Sequence, residues 1–461
     1  MATEPATIDL LSRADAEPRM EAAAGWLLHH GLVPGDRVAF WVGSSADLLC
    51  AVIGAARVGI IPVLLNANLL PAERDELLAD CIPSHVVLDV PGLEELFEGP
   101  RVELSPWMLT RPMHYTSGTT GRAKGVTSGL WDHEIARAVH EDEVGAWKIT
   151  ADDVHLVCSP LYHTVGVRLS AATLLSGGSL AILSRFDAAT VLEALRTIRP
   201  TTAFLVPTHL HRLLALPELN ADEIFDSLRL LTHAGAPCPP VLKRQAMARV
   251  APGVLWEFYG ATEGQFTTCS SDEWLERPGT VGRARPGRRL FIEPLADADG
   301  ESEPDGIGII WCSAPPFARF AYFGNEEATA QAWNGDAFSV GDIGSLDEDG
   351  YLYLTGRRSD LIITGGVNVY PAEIEAALVE LDGITEACVF GLEDPEWGQR
   401  VCAAVVGRPG LTPEEVIDVS RHVLAPFKRP KSVFITADLP LGPTGKVQRR
   451  KMAEHLGLES R

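Results

Sequence analysis

Between Arg37 and Leu88 short apolar runs alternate with amphipathic stretches, and this alternation limits the open folds more than any other feature. Arg37 to Trp41, Ile60 to Leu65 and His85 to Leu88 read as strands, and Ala46 to Val58 and Pro71 to Asp80 read as helices between them. Strand, helix and strand in succession predict parallel α/β layers. The rhythm returns with helix Val191 to Ile198, buried strand Thr202 to Val206 and helix Thr208 to Leu216. From Gly300 to Gly350 the spacing shortens, and glycine, proline and aromatic residues become frequent, as in antiparallel strands and turns.

A chain of 461 residues exceeds what one ordinary core supports, so two or more domains are expected. Gly356-Arg-Arg-Ser-Asp360 separates a strand, Tyr351 to Leu354, from a new α/β unit, so the expected domains are 1–356 and 357–461. The smaller one opens on a helix with Pro371 in its first turn, Ile374, Leu378 and Leu381 on one face, and Gly383 suited to end it. The fold class is therefore α/β: a large N-terminal part of several subdomains, one of them β-rich, and a small α+β C-terminal domain.

The formal charge of −23 repels phosphate backbones and anionic membrane surfaces, which argues against a nucleic-acid partner. A nucleotide can bind such a chain only where backbone N–H groups and a few cations override the field. The eight cysteines show no metal-site spacing and read as reduced thiols of a cytoplasmic protein. Met1 to Leu10 lacks the pattern of a signal peptide, and Arg57, Pro62, Asn66 and Asn68 interrupt the most apolar segment, which argues against a membrane span.

Tyr115-Thr-Ser-Gly-Thr-Thr-Gly-Arg-Ala-Lys-Gly-Val126 unites three needs of phosphate binding. Gly118, Gly121 and Gly125 permit close backbone approach, Thr116, Ser117, Thr119 and Thr120 supply hydroxyls, and Lys124 supplies a cation. It is not a Walker A loop, because Ala123, five residues after Gly118, stands where that motif needs its second glycine, and Lys124 is followed by Gly125 rather than Ser or Thr. A Ser/Thr/Gly linker has no reason to end in Arg-Ala-Lys-Gly-Val.

This segment resembles the signature of the adenylate-forming superfamily, which includes acyl-CoA synthetases, peptide-synthetase adenylation domains and luciferases. The similarity runs over nearly the whole chain and is greatest to bacterial acyl-CoA synthetases acting on bulky hydrophobic acids. Tyr259-Gly260-Ala261-Thr262-Glu263-Gly264 resembles the second nucleotide motif. The resemblance implies that Tyr259 packs on adenine, Thr262 contacts the α-phosphate and Glu263 holds Mg²⁺. Gly235-Ala236-Pro237 resembles the loop beside the adenine and acyl pockets, behind a strand Leu228 to Thr232. Asp342 and Arg357 match the ribose-binding positions, and Lys446 in Leu439-Pro-Leu-Gly-Pro-Thr-Gly-Lys446 matches the lysine that bridges the acid and the α-phosphate. Gly365 and Gly366 match the loop brought to the thiol tunnel when the small lid domain rotates, with the hinge two residues after Arg357, at Ser359.

On the acyl side, Leu161-Tyr162-His163 resembles an aromatic-His motif walling the acid pocket, and the segments holding His209 and His233 resemble those of synthetases for steroid-like acids. Nothing in these stretches is placed to meet an amino group, so a bulky apolar acid (terpenoid, steroid-like, aryl or fatty) is expected, with Tyr162, His163, His209, His233 and Gly264 around it. The expected reaction uses ATP, Mg²⁺ and coenzyme A in lipid or secondary metabolism. Ser359 replaces the usual Asp or Lys hinge, and the stretch from Val90 to Thr110 is short for the family. Transfer to a carrier-protein thiol or a partner enzyme stays open, as do a homodimer and a catalytically silent acyl-nucleotide-binding protein. Lys428-Arg-Pro-Lys431 suits either the phosphates of coenzyme A or a solvated turn.

Overall fold

Val38, Ala39, Phe40 and Val63 are almost wholly buried, so helices cover both faces of the strands that carry them, as a parallel sheet requires. The computed structural model describes residues 6–116, 123–217, 224–295, 306–357, 360–364, 367–395, 397–441 and 447–458. Its contacts divide the chain into two units, Met1–Arg289 with Ser313–Phe338, and Leu290–Cys312 with Ser339–Arg461.

In the larger unit one sheet has the order His85–Val87, Arg37–Phe40, Ile61–Leu64, Met113–Thr116, Lys124–Thr127, Ala321–Tyr322. The first four strands are parallel and the last two antiparallel. Helix Ala46–Arg57 is capped by Ser45, which accepts from the Leu48 N–H, and it is buried along almost its whole length. The second sheet runs Ile8–Ser12, Ser179–Leu183, Val154–Val157, Thr202–Leu205, Leu230–His233, Leu255–Gly260, Gln265–Ser270, Thr280–Ala284. Its five central strands are parallel and its outer pairings antiparallel. The turns after Val154–Val157, Leu230–His233 and Leu255–Gly260 thus leave the carboxyl ends of strands, the place where open α/β sheets bind ligands.

In the smaller unit Asp342–Leu346 pairs antiparallel with Gly308–Ser313 and with Tyr351–Arg357. A further sheet has the order Val367–Val369, Ile362–Thr364, Gly398–Gly407, Ile384–Asp394, with Ser432–Ile435 parallel to Gly398–Gly407. Helices Pro371–Val379 and Pro413–Val423 contribute Ile374, Leu378 and Val416 to its apolar core.

The expected strand and helix order is present, with shifted ends. Asp187 caps the helix Ala188–Thr197, so it starts before Val191. The strand expected at Leu228 runs Leu230–His233, and the helix opening at Pro371 stops at Val379. Gly383, at φ +86°, turns the chain into Ile384–Asp394 instead of capping that helix. The edge strand Ile8–Ser12 was not anticipated, because its pairing with Ser179–Leu183 is long-range and leaves no local signal. All eight cysteines are free thiols, Cys238 partly exposed and the others buried.

Lys243 Nζ and Glu257 Oε2 lie 2.5 Å apart and buried, joining helix Pro240–Met247 to the strand that ends at Gly260. Burial pushes the Glu257 carboxyl up, and Lys243 opposes it. Removing one partner of a buried pair strands the other charge. Glu257→Gln is expected to cost about 3 kcal/mol in urea unfolding, and Lys243→Met with Glu257→Leu clearly less. Equal losses for the single and double variants would contradict this role.

Candidate active site

Thr116 and Lys124 face each other as cross-strand partners at the ends of their strands. Thr116 Oγ1 donates to the Lys124 carbonyl at 3.5 Å. Tyr115 Oη donates to Asp80 Oδ2 at 2.7 Å and anchors the first strand to helix Pro71–Cys81; burial, then Asp80, keeps this phenol protonated. A side chain at Gly125 would meet Met113 Cε at 2.5 Å. Ser117, Gly118, Thr119, Thr120 and Gly121 lie outside the described residues, as do Ser359, Gly365, Gly366 and Lys446.

The segment Gly260 to Gly264 leaves its strand in a tight turn closed by the Ala261 N–H donating to the Gly264 carbonyl at 2.8 Å. A Cβ on Gly260 would lie 2.8 Å from that same carbonyl oxygen, which requires glycine there. The turn presents Glu263, 6% exposed, and Oε1 of Glu263 accepts from Tyr322 Oη at 2.8 Å. Lys124 Nζ sits 4.7 Å from the centre of the same Tyr322 ring. Tyr322 reaches this position because Ala321–Tyr322 pairs antiparallel with the strand of Lys124. Lys124 and Glu263, assigned to different motifs, therefore meet on one aromatic residue. The aromatic run Phe320 to Phe323 was the available signal for Tyr322, and it was read only as strand and turn composition.

Such a place suits a hard divalent cation that arrives with phosphates. Glu263 offers carboxylate oxygens, and among the described residues no group of three His, Cys, Asp or Glu is placed to hold a metal by itself. Glu263 would be the protein ligand and the phosphates would complete the shell.

Tyr259 packs its ring against Phe266, with centroids 4.9 Å apart. Gly235 adopts φ +91° behind Leu230–His233. In the smaller unit Asp342 and Arg357 are direct cross-strand partners, and Arg357 Nε lies 2.8 Å from Asp342 Oδ1. On the basic turn, Lys428 pairs with Glu373 at 2.5 Å and Lys431 Nζ lies 3.3 Å from the Trp397 ring centre.

The rings of Tyr162 and His163 lie 4.6 Å apart, tilted by 52°, just before helix Thr164–Leu175. His209 lies flat on Phe186, with centroids 3.7 Å apart, and His233 is fully buried at its strand end. Gly264 lines a cavity of the larger unit, where a Cβ would come within 2.6 Å of Phe338. Thr262 lines that cavity beside it. Its lining is also basic, with Arg111, Arg168, Arg285 and Arg288, and Asp142 and Glu143 among them. Sequence reading missed this cluster, although Arg283, Arg285, Arg288 and Arg289 crowd one turn of an acidic chain.

Comparison with known proteins matches residues 6–111 and 110–320 to the AMP-binding enzyme family and residues 373–446 to the AMP-binding enzyme C-terminal domain. A 2-succinylbenzoate–CoA ligase of Bacillus cereus is 32% identical over 447 residues, which cover 93% of this chain and 90% of that protein. ATP-bound MatB from Rhodopseudomonas palustris is 31% identical with a TM-score of 0.85, over 97% of this chain and 94% of the other. An o-succinylbenzoate coenzyme A synthetase from Bacillus subtilis, in complex with ATP and a magnesium ion, is 27% identical with a TM-score of 0.83, over 95% and 94% of the two chains.

Burial pushes the imidazoles of His114, His155 and His209 down to about 4, and that of His233 to about 3. Unfolded, each takes up its proton near 6.5, so their neutral burial contributes stability fully above that value and loses it as the pH falls toward 4. Each fall of one unit in this window costs up to about 1.4 kcal/mol per group. Urea midpoints are expected to be level from pH 7 to 8 and to drop steeply at pH 5. Imidazole proton resonances of these four residues titrating near 6.5 would contradict the assignment.

Proposed function

The chain belongs to the AMP-binding enzyme family, and on that premise we propose that it is an ATP-dependent acid–thiol ligase, activating a bulky, largely apolar carboxylic acid and passing the acyl group to coenzyme A. The observation that carries the reading is the meeting of Lys124 and Glu263 on Tyr322. It brings one cation and one oxygen-donor carboxylate onto a single side chain, which supports a role in holding a triphosphate.

A carboxylate is a poor acyl donor, so one of its oxygens must first become part of a good leaving group. That oxygen attacks the α-phosphorus of ATP, the bond to the β-phosphate breaks, and pyrophosphate leaves with the electron pair. The sulfur of coenzyme A then attacks the acyl carbon and gives up its proton to solvent, the carbon–oxygen bond to AMP breaks, and AMP leaves with the electron pair. Both steps crowd anions together, so positioning and cation contacts supply the catalysis and no general-base dyad is required. In this reading Lys124 and the turn hydroxyls hold the phosphates, Thr262 contacts the α-phosphate, and Asp342 with Arg357 takes the ribose. Mg²⁺ held by Glu263 neutralises phosphate charge when bound. The roles of Lys446, of the Gly365-Gly366 loop and of a lid domain beginning at 357 and hinged at Ser359 rest on the resemblance of their motifs.

The acid named by the Bacillus relatives, 2-succinylbenzoate, is an aryl acid and the first to assay. A cytoplasmic setting belongs to the same proposal, on the ground that the eight cysteines are unpaired. The surface contacts of Lys428 and Lys431 are weak enough to yield to the phosphates of coenzyme A.

Lys446→Ala is expected to lower acid-dependent pyrophosphate exchange by about 100-fold or more while ATP binding survives. Unchanged exchange would remove its role. Glu263→Gln is expected to raise the Mg²⁺ needed for half-maximal exchange by about tenfold, and an identical titration would end its assignment as ligand. Coenzyme A should accelerate AMP release, and a rate indifferent to it would move the acceptor to a carrier-protein thiol or a partner enzyme.

A further inference from the structure

Tyr322 serves two charged side chains at once and leaves both of their charges in place. Its hydroxyl donates to Glu263 Oε1 at 2.8 Å, and Lys124 Nζ sits over its ring, 4.7 Å from the centre. Neither contact neutralises a charge, because a phenol is a neutral donor and a ring offers an ammonium only its quadrupole. Among the described residues Lys124 and Glu263 form no ion pair, with each other or with any other side chain. A direct pair between them would cancel the cation and the carboxylate that a metal-bound triphosphate requires.

The backbone on either side fixes where the phenol points. Ala321 and Tyr322 pair antiparallel with Thr127 and Val126, the Phe323 N–H donates to the Gly125 carbonyl at 2.8 Å, and the Tyr322 N–H donates to Thr329 Oγ1 at 2.9 Å. The Phe320 ring meets the Tyr322 ring edge-on, with centroids 5.5 Å apart. The hydroxyl is thereby committed to one oxygen of Glu263, and among the described residues no hydrogen bond reaches the other, Oε2. A cation that gripped both oxygens would compete with the phenol for Oε1, whereas coordination through Oε2 alone leaves the hydrogen bond intact.

That difference separates two cations. Mg²⁺ demands a tight octahedral shell, which single carboxylate oxygens, phosphates and water fill, whereas Ca²⁺ takes a larger, looser shell and accepts a carboxylate by both oxygens. We propose that Tyr322 is a positioning residue that makes the nucleotide site select Mg²⁺ over Ca²⁺. Its hydroxyl confines Glu263 to coordination through one oxygen, while its ring holds Lys124 off Glu263 and leaves the ammonium available to phosphate. The inference rests on the reading of Glu263 as the metal ligand and deepens it, since the selecting group is a neutral side chain from outside both motifs. The two contacts can be separated: Tyr322→Phe keeps the ring and loses the hydroxyl, and Tyr322→Leu loses both.

The experiment measures binding of Mg²⁺-ATP and Ca²⁺-ATP to the full chain by isothermal titration calorimetry, with metal-free ATP as the baseline. Pyrophosphate exchange in the presence of 2-succinylbenzoate is followed in parallel. The natural chain is expected to bind the Mg²⁺ complex more tightly than the Ca²⁺ complex. Tyr322→Phe should weaken the Mg²⁺ complex by about tenfold, as loss of an outer partner of a metal ligand does, and the Ca²⁺ complex clearly less. Metal-free ATP should bind Tyr322→Phe as it binds the natural chain, and Tyr322→Leu more weakly. A merely structural role would weaken all three forms of ATP together in Tyr322→Phe, and that result would overturn the proposal, as would an unchanged ratio of Mg²⁺ to Ca²⁺ affinity. ATP binding by the natural chain that ignores both metals would remove Glu263 as the ligand and the selection with it. Selective Mg²⁺-ATP binding that Tyr322→Phe abolishes, without any exchange, would uphold the selection and count against the ligase reading, so the two failures are told apart.

Discussion

One phenol hydroxyl ties two sequence motifs of the larger unit together. Tyr322 donates to Glu263 while its ring faces Lys124, so the second motif and the flank of the glycine turn share a single side chain. A carboxylate buried as deeply as Glu263 needs a donor, and a hydrogen bond to a charged group is worth about 1.5 to 3 kcal/mol. The position of Tyr322 is fixed in turn by backbone pairing with the strand that begins at Lys124. The geometry is therefore set by sheet hydrogen bonds before any ligand arrives, which is what preorganised electrostatics requires.

The layers of the fold were legible because they follow from periodicity. Arg37–Phe40, Ile61–Leu64 and Thr202–Leu205 are apolar runs with a helix after each, and such runs can bury only between helices. Ile8–Ser12 was not legible: an edge strand paired to residues far along the chain has only its own five residues to announce it. Motifs were visible where chemistry demands neighbours in sequence, as in Tyr115 to Val126 and Tyr259 to Gly264. Tyr322, whose partners lie at 124 and 263, could be found only by folding the chain.

The same limit explains the acyl side. His209 and His233 were expected near the acid from the resemblance of their segments, and in the structure His209 stacks on Phe186 while His233 is fully buried. The arginines that line the cavity come from the approach to the glycine turn, from helix Thr164–Leu175 and from the segment after Ala284. No local pattern unites them. Their combined charge also runs against the acidic character of the whole chain, which shows how little net charge says about any one cavity.

The buried thiols have a chemical consequence for an enzyme of the proposed kind. An acyl-adenylate is an electrophile that any accessible thiolate can intercept. Burial pushes Cys50, Cys158, Cys238, Cys269 and Cys388 up to about 12, and Cys81 to about 11. At neutral pH these sulfurs are protonated and poor nucleophiles. The protein can thus hold an activated acid beside its own side chains without acylating itself, and leave the competition to the thiol delivered from solution.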